Sequence, residues 1–356
     1  MTDSPSPVRP RHALPVAVGL LAAMHAPIPA SAFTITPYFD STIVGASDQA
    51  QVETVINDAI GNIDSLFTNQ GTIGIVFSQA NGNFLGQSQT SDSLLAYNQY
   101  VSDLRAASAR EPSNGVLPTA IANLRYGNDA NGSGSIVVPT ADLKLGLGLS
   151  GITGCYNTGG SFVAGCGQAY YGVVTLTDNT SLGLNYGTTA VAGQYSLLNA
   201  AEHEIDEILG GGGQGSMLNA IQQGITQVAG DYGVLDLYRY ASGHAPSFTT
   251  SGSASAFLSV DGGNTSVVAF NQNSSGDYGD FNTNRNVQSA FSNPGSPVGY
   301  NSSSPEVLML DAIGYNGPYT GPTYAPEPAS LAVLATGIAG IGGVLSGRAS
   351  GRKRRG

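Results

Sequence analysis

The chain has 356 residues, of which 49 are glycine and only 10% are charged, with a formal net charge of −11. That length allows one large or two ordinary domains. The acidic balance excludes nucleic acid as an expected partner, because a polyanion is held by clustered Lys and Arg.

Residues 1–32 carry Arg9 and Arg11, an apolar run over 13–24 and then Ala30-Ser31-Ala32. This is the order of a secretory signal with an A-x-A cleavage site, so the mature chain is expected to begin near Phe33 after export through the inner membrane. From 48 to 67 the apolar residues Val52, Val55, Ile56, Ala59, Ile60, Ile63 and Phe67 keep a helical period, and Ser47 or Asp48 stands where a cap belongs. Gly71 stops that helix, and Thr72-Ile73-Gly74-Ile75-Val76-Phe77-Ser78 predicts a buried strand. A second helix is expected over 93–107, with Leu94, Leu95, Tyr97, Tyr100, Val101 and Leu104 on its apolar side, and a short one over 118–124.

Cys155 and Cys166 are separated by a glycine-rich loop, and in an exported chain such a pair predicts a structural disulfide. Residues 170–176 have aromatic and β-branched strand character and shortly precede the next helix. As an edge strand this segment would offer its main chain to an extended peptide, or be a plain sheet edge.

The stretch Ala200-Ala201-Glu202-His203-Glu204-Ile205-Asp206-Glu207-Ile208-Leu209-Gly210 states the chemistry. At about 100° per residue His203 and Glu207 fall one turn apart on one helical face, while Leu198, Ala201, Ile205 and Ile208 form a packing stripe roughly opposite. Two donors at i and i+4 can grip one metal ion, and Glu204, a step round the helix, can serve water as general base. The alternative is an acidic, solvated face collecting Glu202, Glu204, Asp206 and Glu207. With only 4 histidines in the chain, a chance His-Glu-x-x-Glu is rare, and the metal site is the preferred reading.

Gly211-Gly212-Gly213-Gln214-Gly215 ends that helix; it follows a helix and no Lys-Ser/Thr comes next, which argues against a phosphate loop. Residues 234–240 read as an extended segment, 257–270 as a hairpin across Asp261-Gly262-Gly263-Asn264, 276–281 as loop and 305–315 as a last short helix. Asp261 and the surroundings of Asp277 would suit calcium, although Asp-Gly turns explain them equally well.

Pro326-Glu327-Pro328, an apolar run over 329–345 and the basic Arg348, Arg352, Lys353, Arg354 and Arg355 complete the sequence. This tripartite tail resembles the PEP C-terminal sorting signal of Gram-negative surface and exopolysaccharide-associated proteins. The resemblance implies arrest of a transmembrane segment with its positive end inside, removal of the tail by an exosortase-type enzyme, and release to the envelope or outside, into an exopolysaccharide matrix. A permanent single-span anchor is the alternative. With both terminal segments set apart, the body is more acidic still.

The region 200–316 is similar to zinc metalloproteases of the metzincin clan, in particular to exported bacterial proteins with a His-Glu-x-x-Glu variant. The similarity rests on His203 to Gly210, Asp236-Leu237-Tyr238-Arg239-Tyr240, Ser259-Val260-Asp261-Gly262-Gly263, Gly276-Asp277-Tyr278-Gly279-Asp280-Phe281 and Asp311-Ala312-Ile313-Gly314-Tyr315. Gly210 fits the extended motif, but Gly213 occupies the place of its third ligand. Leishmanolysin-like members supply that ligand later, from a Gly-x-His-Trp-like stretch that Gly279-Asp280-Phe281 resembles with Asp in place of His. The resemblance therefore implies a metal held by His203, Glu207 and Asp280, with Glu204 as the catalytic base and Asp277, Asp236 or His244 as alternative third ligands. Met309 would correspond to the methionine beneath the metal, or be ordinary core. Tyr232, Tyr238 and Tyr278 are candidates to stabilise an oxyanion.

The expected architecture is an α+β, metzincin-like fold. It has a twisted mixed sheet, mostly parallel, two long helices of which the second carries the motif, and an irregular C-terminal subdomain containing the hairpin. The expected division is a signal peptide over 1–32, an N-terminal metalloprotease subdomain over 33–210, a C-terminal subdomain over 211–320 and the sorting signal with its basic tail over 321–356. The expected function is a secreted or envelope zinc-dependent endopeptidase acting on protein or peptide substrates, with manganese, iron or calcium as alternative ions. Its rivals are a noncatalytic surface or matrix protein that keeps the fold, and a carbohydrate-binding β-rich module.

Overall fold

The computed structural model describes residues 33–69, 71–124, 136–152, 154–166, 170–225 and 231–321. The predicted signal peptide, the apolar run over 329–345 and the basic tail lie outside these residues. Among the described residues no helix is long and apolar enough to cross a membrane.

The fold is α+β. Strand β1 (Thr34–Phe39) leads through helix α1 (Gln49–Leu66) to β2 (Thr72–Ala80), which lies parallel to β1 with Thr34 opposite Thr72. Helix α1 buries Val52, Val55, Ile56, Ala59, Ile60 and Ile63, the stripe its period predicts. Asp48 stands at its N-cap without capping it; the carboxylate accepts from Gln79 Nε2 and Tyr186 Oη instead. After β3 (Gly86–Thr90) come α2 (Tyr97–Arg110) and α3 (Val116–Ala122). Helix α2 starts later than 93 because Leu95 and Ala96 pair antiparallel with Val137 and Ile136, which leaves Leu94 exposed.

Strands β4 (Gly154–Tyr156), β5 (Phe162–Ala164) and β6 (Tyr170–Thr177) complete the six-stranded sheet. Its order is β1-β2-β6-β4-β5, with β3 also on β6. The β1–β2 and β2–β6 pairings are parallel, whereas β3–β6, β4–β5 and β4–β6 are antiparallel. The sheet is thus mixed, its two longest pairings parallel and its three shorter ones antiparallel. The edge reading of 170–176 is corrected: β6 is flanked by β2 on one side and by β3 on the other, and β3, like β1 and β5, has an open edge among the described pairings.

Cys155 and Cys166 are free thiols here. Cys155 Sγ lies 3.7 Å from the Gly165 carbonyl, and burial together with the adjacent Cys155 thiol pushes Cys166 up to about 11. The pair predicted to bridge is therefore adjacent, with no bond between the sulfurs in this structure.

Helix α4 (Leu197–Ile208) packs against α1 and lies across β3 and β6. Beyond it, Leu235–Tyr238 is a 3-10 turn where extended chain was expected, and only β7 (Arg239–Ala241) is strand. It pairs antiparallel with β8 (Phe257–Leu258). The predicted hairpin forms in short: Leu258 N–H donates to Val268 O at 2.9 Å, and Val267 N–H donates to Leu258 O at 3.0 Å. Asp261 is consumed by that turn, accepting from Ser259 Oγ, Thr265 N and Thr265 Oγ1, which accounts for it without calcium.

Helix α5 (Pro305–Ile313) closes the core. That core is continuous across residue 210, joining Ile205, Ile208 and Leu209 of the motif segment to Leu235, Leu308 and Ile313. Full burial of each such side chain stabilises by about 1.5–3 kcal/mol, so the motif helix is held by packing rather than by helical propensity.

Candidate metal centre

Ser196 caps α4 by accepting from Asn199 N–H at 3.1 Å. At the other end Gly211 N–H donates to Asp206 O at 2.8 Å and Gly210 N–H to Glu207 O at 2.9 Å, with Gly210 at φ 96. This pair of bonds is a Schellman cap, and the glycine at its left-handed position lets the chain turn back over the helix. The packing stripe Leu198, Ala201, Ile205 and Ile208 is buried as expected. The acidic residues are buried too, which overturns the solvated-face alternative. Glu202 accepts from Asn62 Nδ2 at 2.8 Å and Asp206 from Tyr300 Oη at 2.8 Å. Burial raises Glu202 to about 7 and Asp206 well above the ordinary carboxylate range.

On the remaining face, His203 Nε2 lies 3.6 Å from Glu207 Oε1 and 3.6 Å from Asp280 Oδ2. The three ligand atoms all fall within 4.8 Å of one another. Glu207 is held in place twice over, accepting from Ser88 Oγ of β3 at 2.5 Å and from Gly213 N–H at 3.0 Å. The glycine in the place of the missing third ligand thus supports the second one through its backbone. His203 Nδ1 donates to Val287 O at 3.0 Å, which turns Nε2 toward the carboxylates.

Asp280 arrives from the C-terminal loops. Asn271 N–H donates to Asp280 O at 2.7 Å, and Phe281 N–H to Gln288 O at 2.7 Å. Arg239, 1% exposed, anchors the same loops: its guanidinium donates to Tyr278 O and, at 3.1 Å, to Asn271 O, and lies 4.5 Å from the Phe270 ring centre. Gly279 passes so close to Gly212 that an added Cβ would overlap the Gly212 carbonyl.

Burial and mutual repulsion shape the protonation of the cluster. Burial raises Glu204 well above the usual range, and Glu207, Asp280 and Asp277 push it further while His203 opposes. Burial lifts Asp280 to about 8 despite His203, and burial with Glu207 lifts Asp277 to about 6. Burial alone would lower His203, but Asp280, Glu207 and Glu204 outweigh it and hold its pKa well above normal. Glu207 goes the other way: burial is overcome by His203, Ser88 and Gly213, and its pKa is lowered. One imidazole nitrogen and two carboxylate oxygens are a donor set that suits zinc, whose ligands at about 2.0–2.2 Å from the metal lie roughly 3.3 Å apart in a tetrahedron.

Glu204, 6% exposed, points at β3: a Cβ on Gly86 would lie 2.6 Å from its Oε1. His203, Glu204, Glu207, Asp277 and Asp280 line a cleft of about 760 Å³, with residues 83–89 along one wall. The exposed side chains of β3 are Gln87 and Gln89.

The other candidates fall elsewhere. Asp277 is on the rim, accepting from Asn219 Nδ2 at 2.8 Å. Asp236 accepts from Ser216 Oγ, Met217 N and Gly233 N and is a backbone anchor. His244 is exposed on its loop at φ 62. Tyr238 is buried in the core, Tyr278 donates to Thr250 O and Tyr232 packs on Phe248; the tyrosine in the cleft wall is Tyr195. Met309 is fully buried in helix α5 and not in a turn, with its methyl beside Gly211. Ser88, Arg239 as loop anchor and Gln288 carry no signal in the sequence; their roles come from contacts across distant segments.

This is an α+β protein with a preorganised His-Glu-Asp cluster in a cleft. Comparison with family models, with curated proteins and with solved structures gives no match.

Proposed function

We propose that the protein is a metal-dependent endopeptidase with His203, Glu207 and Asp280 as ligands, zinc as the ion and Glu204 as general base. The observation that carries this reading is the convergence of one imidazole and two carboxylates beside a third, in a cleft walled by a strand with an open edge. Bound there, zinc would supply polarisation of a peptide carbonyl and acidification of water. Glu204 accepts a proton from the attacking water and returns it to the leaving nitrogen. The main chain of β3, from Gly86 to Thr90, receives an extended peptide by strand addition, one of the two readings the sequence left open for 170–176. Export to the envelope or outside, processing by an exosortase-type enzyme and residence in an exopolysaccharide matrix belong to the same proposal.

The test is metal analysis of the purified protein with casein cleavage by wild type and Glu204→Gln. The reading expects close to one zinc per chain in both, and cleavage reduced about 10²–10⁴-fold in the variant. A wild type that keeps metal and cuts nothing would favour the noncatalytic surface protein. Glycan retention without metal would favour the carbohydrate-binding module.

A further inference from the structure

Gln288 belongs to neither the helix motif nor the acidic loop, yet it is 0% exposed and reaches the centre of the cluster. Its Nε2 donates to Asp280 Oδ1 at 2.9 Å and lies 3.3 Å from His203 Nε2. The backbone on either side serves the same two residues. Val287 O accepts from His203 Nδ1 and so orients the ring, and Gln288 O accepts from Phe281 N–H, next to Asp280. Gln288 N–H in turn donates at 3.1 Å to Glu306, a fully buried carboxylate on α5. The amide also requires Gly212 opposite it, since a Cβ there would overlap Nε2 and come within 3.0 Å of Asp280 Oδ1. Its Oε1 is buried without a hydrogen-bond partner, so its burial is not explained by satisfying its own polar groups. A buried amide that leaves its acceptor unpaired costs about 1–3 kcal/mol. That cost is characteristic of a group kept for what its donor end does.

We infer that Gln288 is the positioning residue of the metal centre: its amide occupies Asp280 Oδ1 and so presents Oδ2, beside His203 Nε2, as the single ligating oxygen. This rests on the proposed metal site. It also assigns to the site a residue remote from the helix motif, fixed through the ladder that joins Phe281 to Gln288 and Ala290. The amide thereby favours a small ion with few ligands over calcium, which takes 6–8 oxygens and often both atoms of a carboxylate.

The experiment compares wild type, Gln288→Met, which keeps an unbranched chain without donors, and Gln288→Ala. Zinc dissociation constants come from competition with a chromogenic chelator, and the ligand geometry from the visible spectrum of the cobalt-loaded protein. The expected result is zinc affinity lowered about 10–100-fold in Gln288→Met with a changed cobalt spectrum, the size typical of losing an outer partner of a ligand. Calcium should compete better in the variant than in wild type. If Gln288→Met does not fold, as judged by circular dichroism, Gln288→Ala carries the same test. Unchanged affinity and an unchanged cobalt spectrum in the folded variants would overturn the role of Gln288 while leaving the metal site standing. Absence of zinc and cobalt binding by wild type would instead overturn the site and this inference with it.

Discussion

His203 Nε2 and Asp280 Oδ2 meet at 3.6 Å although one residue stands on α4 and the other on a loop that follows the β8 hairpin. Their meeting turns a helical His-Glu pair into a three-donor cluster. Replacing either by alanine is therefore expected to lower zinc affinity by more than the roughly 10–100-fold that loss of an outer contact costs. Zinc at 100 times its dissociation constant should stabilise wild type by about 2.7 kcal/mol against unfolding, and the variants by much less at the same concentration. Melting curves with and without zinc check this; equal zinc-dependent shifts in His203→Ala and wild type would refute the ligand assignment.

The approach of Gly279 to Gly212 is backbone against backbone, so no rotamer change can relieve an added methyl. Gly279→Ala is expected to cost about 1–3 kcal/mol or more and to displace Asp280 from His203. Gly61, on the exposed side of α1 with nothing within 4 Å of where a methyl group would stand, is the contrast. Gly61→Ala should stabilise by about 0.5–1 kcal/mol and leave zinc affinity untouched. Urea unfolding and zinc titration of both variants decide between the two behaviours.

Arg239 holds the loop that carries Asp280 through two carbonyls and the Phe270 ring. Burial lowers its pKa to about 10 although nearby Asp236 opposes the change, so it stays charged at neutral pH. Arg239→Lys replaces a planar fork by a point charge that cannot span both carbonyls. We expect a loss of about 1.5–3 kcal/mol, the range for hydrogen bonds to a charged group, with weaker zinc binding. Hydrogen exchange should show Asn271 and Asp280 amides opening faster than those of β2; unchanged exchange there would remove Arg239 from its anchoring role.

What is legible in the sequence is what repeats locally. The i, i+4 spacing puts His203 and Glu207 on one face, and the periods of α1 and β2 are plain. Strand β3, Gly86-Gln87-Ser88-Gln89-Thr90, has no apolar alternation, because its Ser88 bonds Glu207 while Gln87 and Gln89, on the other face, are exposed; the stronger pattern of 170–176 draws the edge reading to a strand that is paired on both sides. The burial of Glu202 and Asp206 is equally hidden, since Asn62 and Tyr300 come from remote segments. Asp280 is reached only through resemblance to a ligand-bearing stretch, and Gln288 not at all, because irregular loop ladders carry no period.

Asp311 gives a pH test away from the metal centre. It is 0% exposed on α5, accepts from Asn114 Nδ2 and leaves Oδ2 unpaired. Burial raises its pKa from 3.8 to about 8, against the opposing bonds from Asn114 and the Gly317 backbone. The folded state therefore holds this proton more tightly than the unfolded chain does. Its contribution to stability is complete below about pH 4, where both states are protonated. It falls by about 1.4 kcal/mol per pH unit as the unfolded chain ionises first, and is lost once pH passes the folded value near 8. Asp311→Asn has no such proton, so its stability relative to wild type should rise steadily between pH 5 and pH 8 and level off above. Urea midpoints of both proteins across that range check the sign: a difference that stays flat, or shrinks with pH, would mean that Asp311 is ionised in the folded protein at neutral pH.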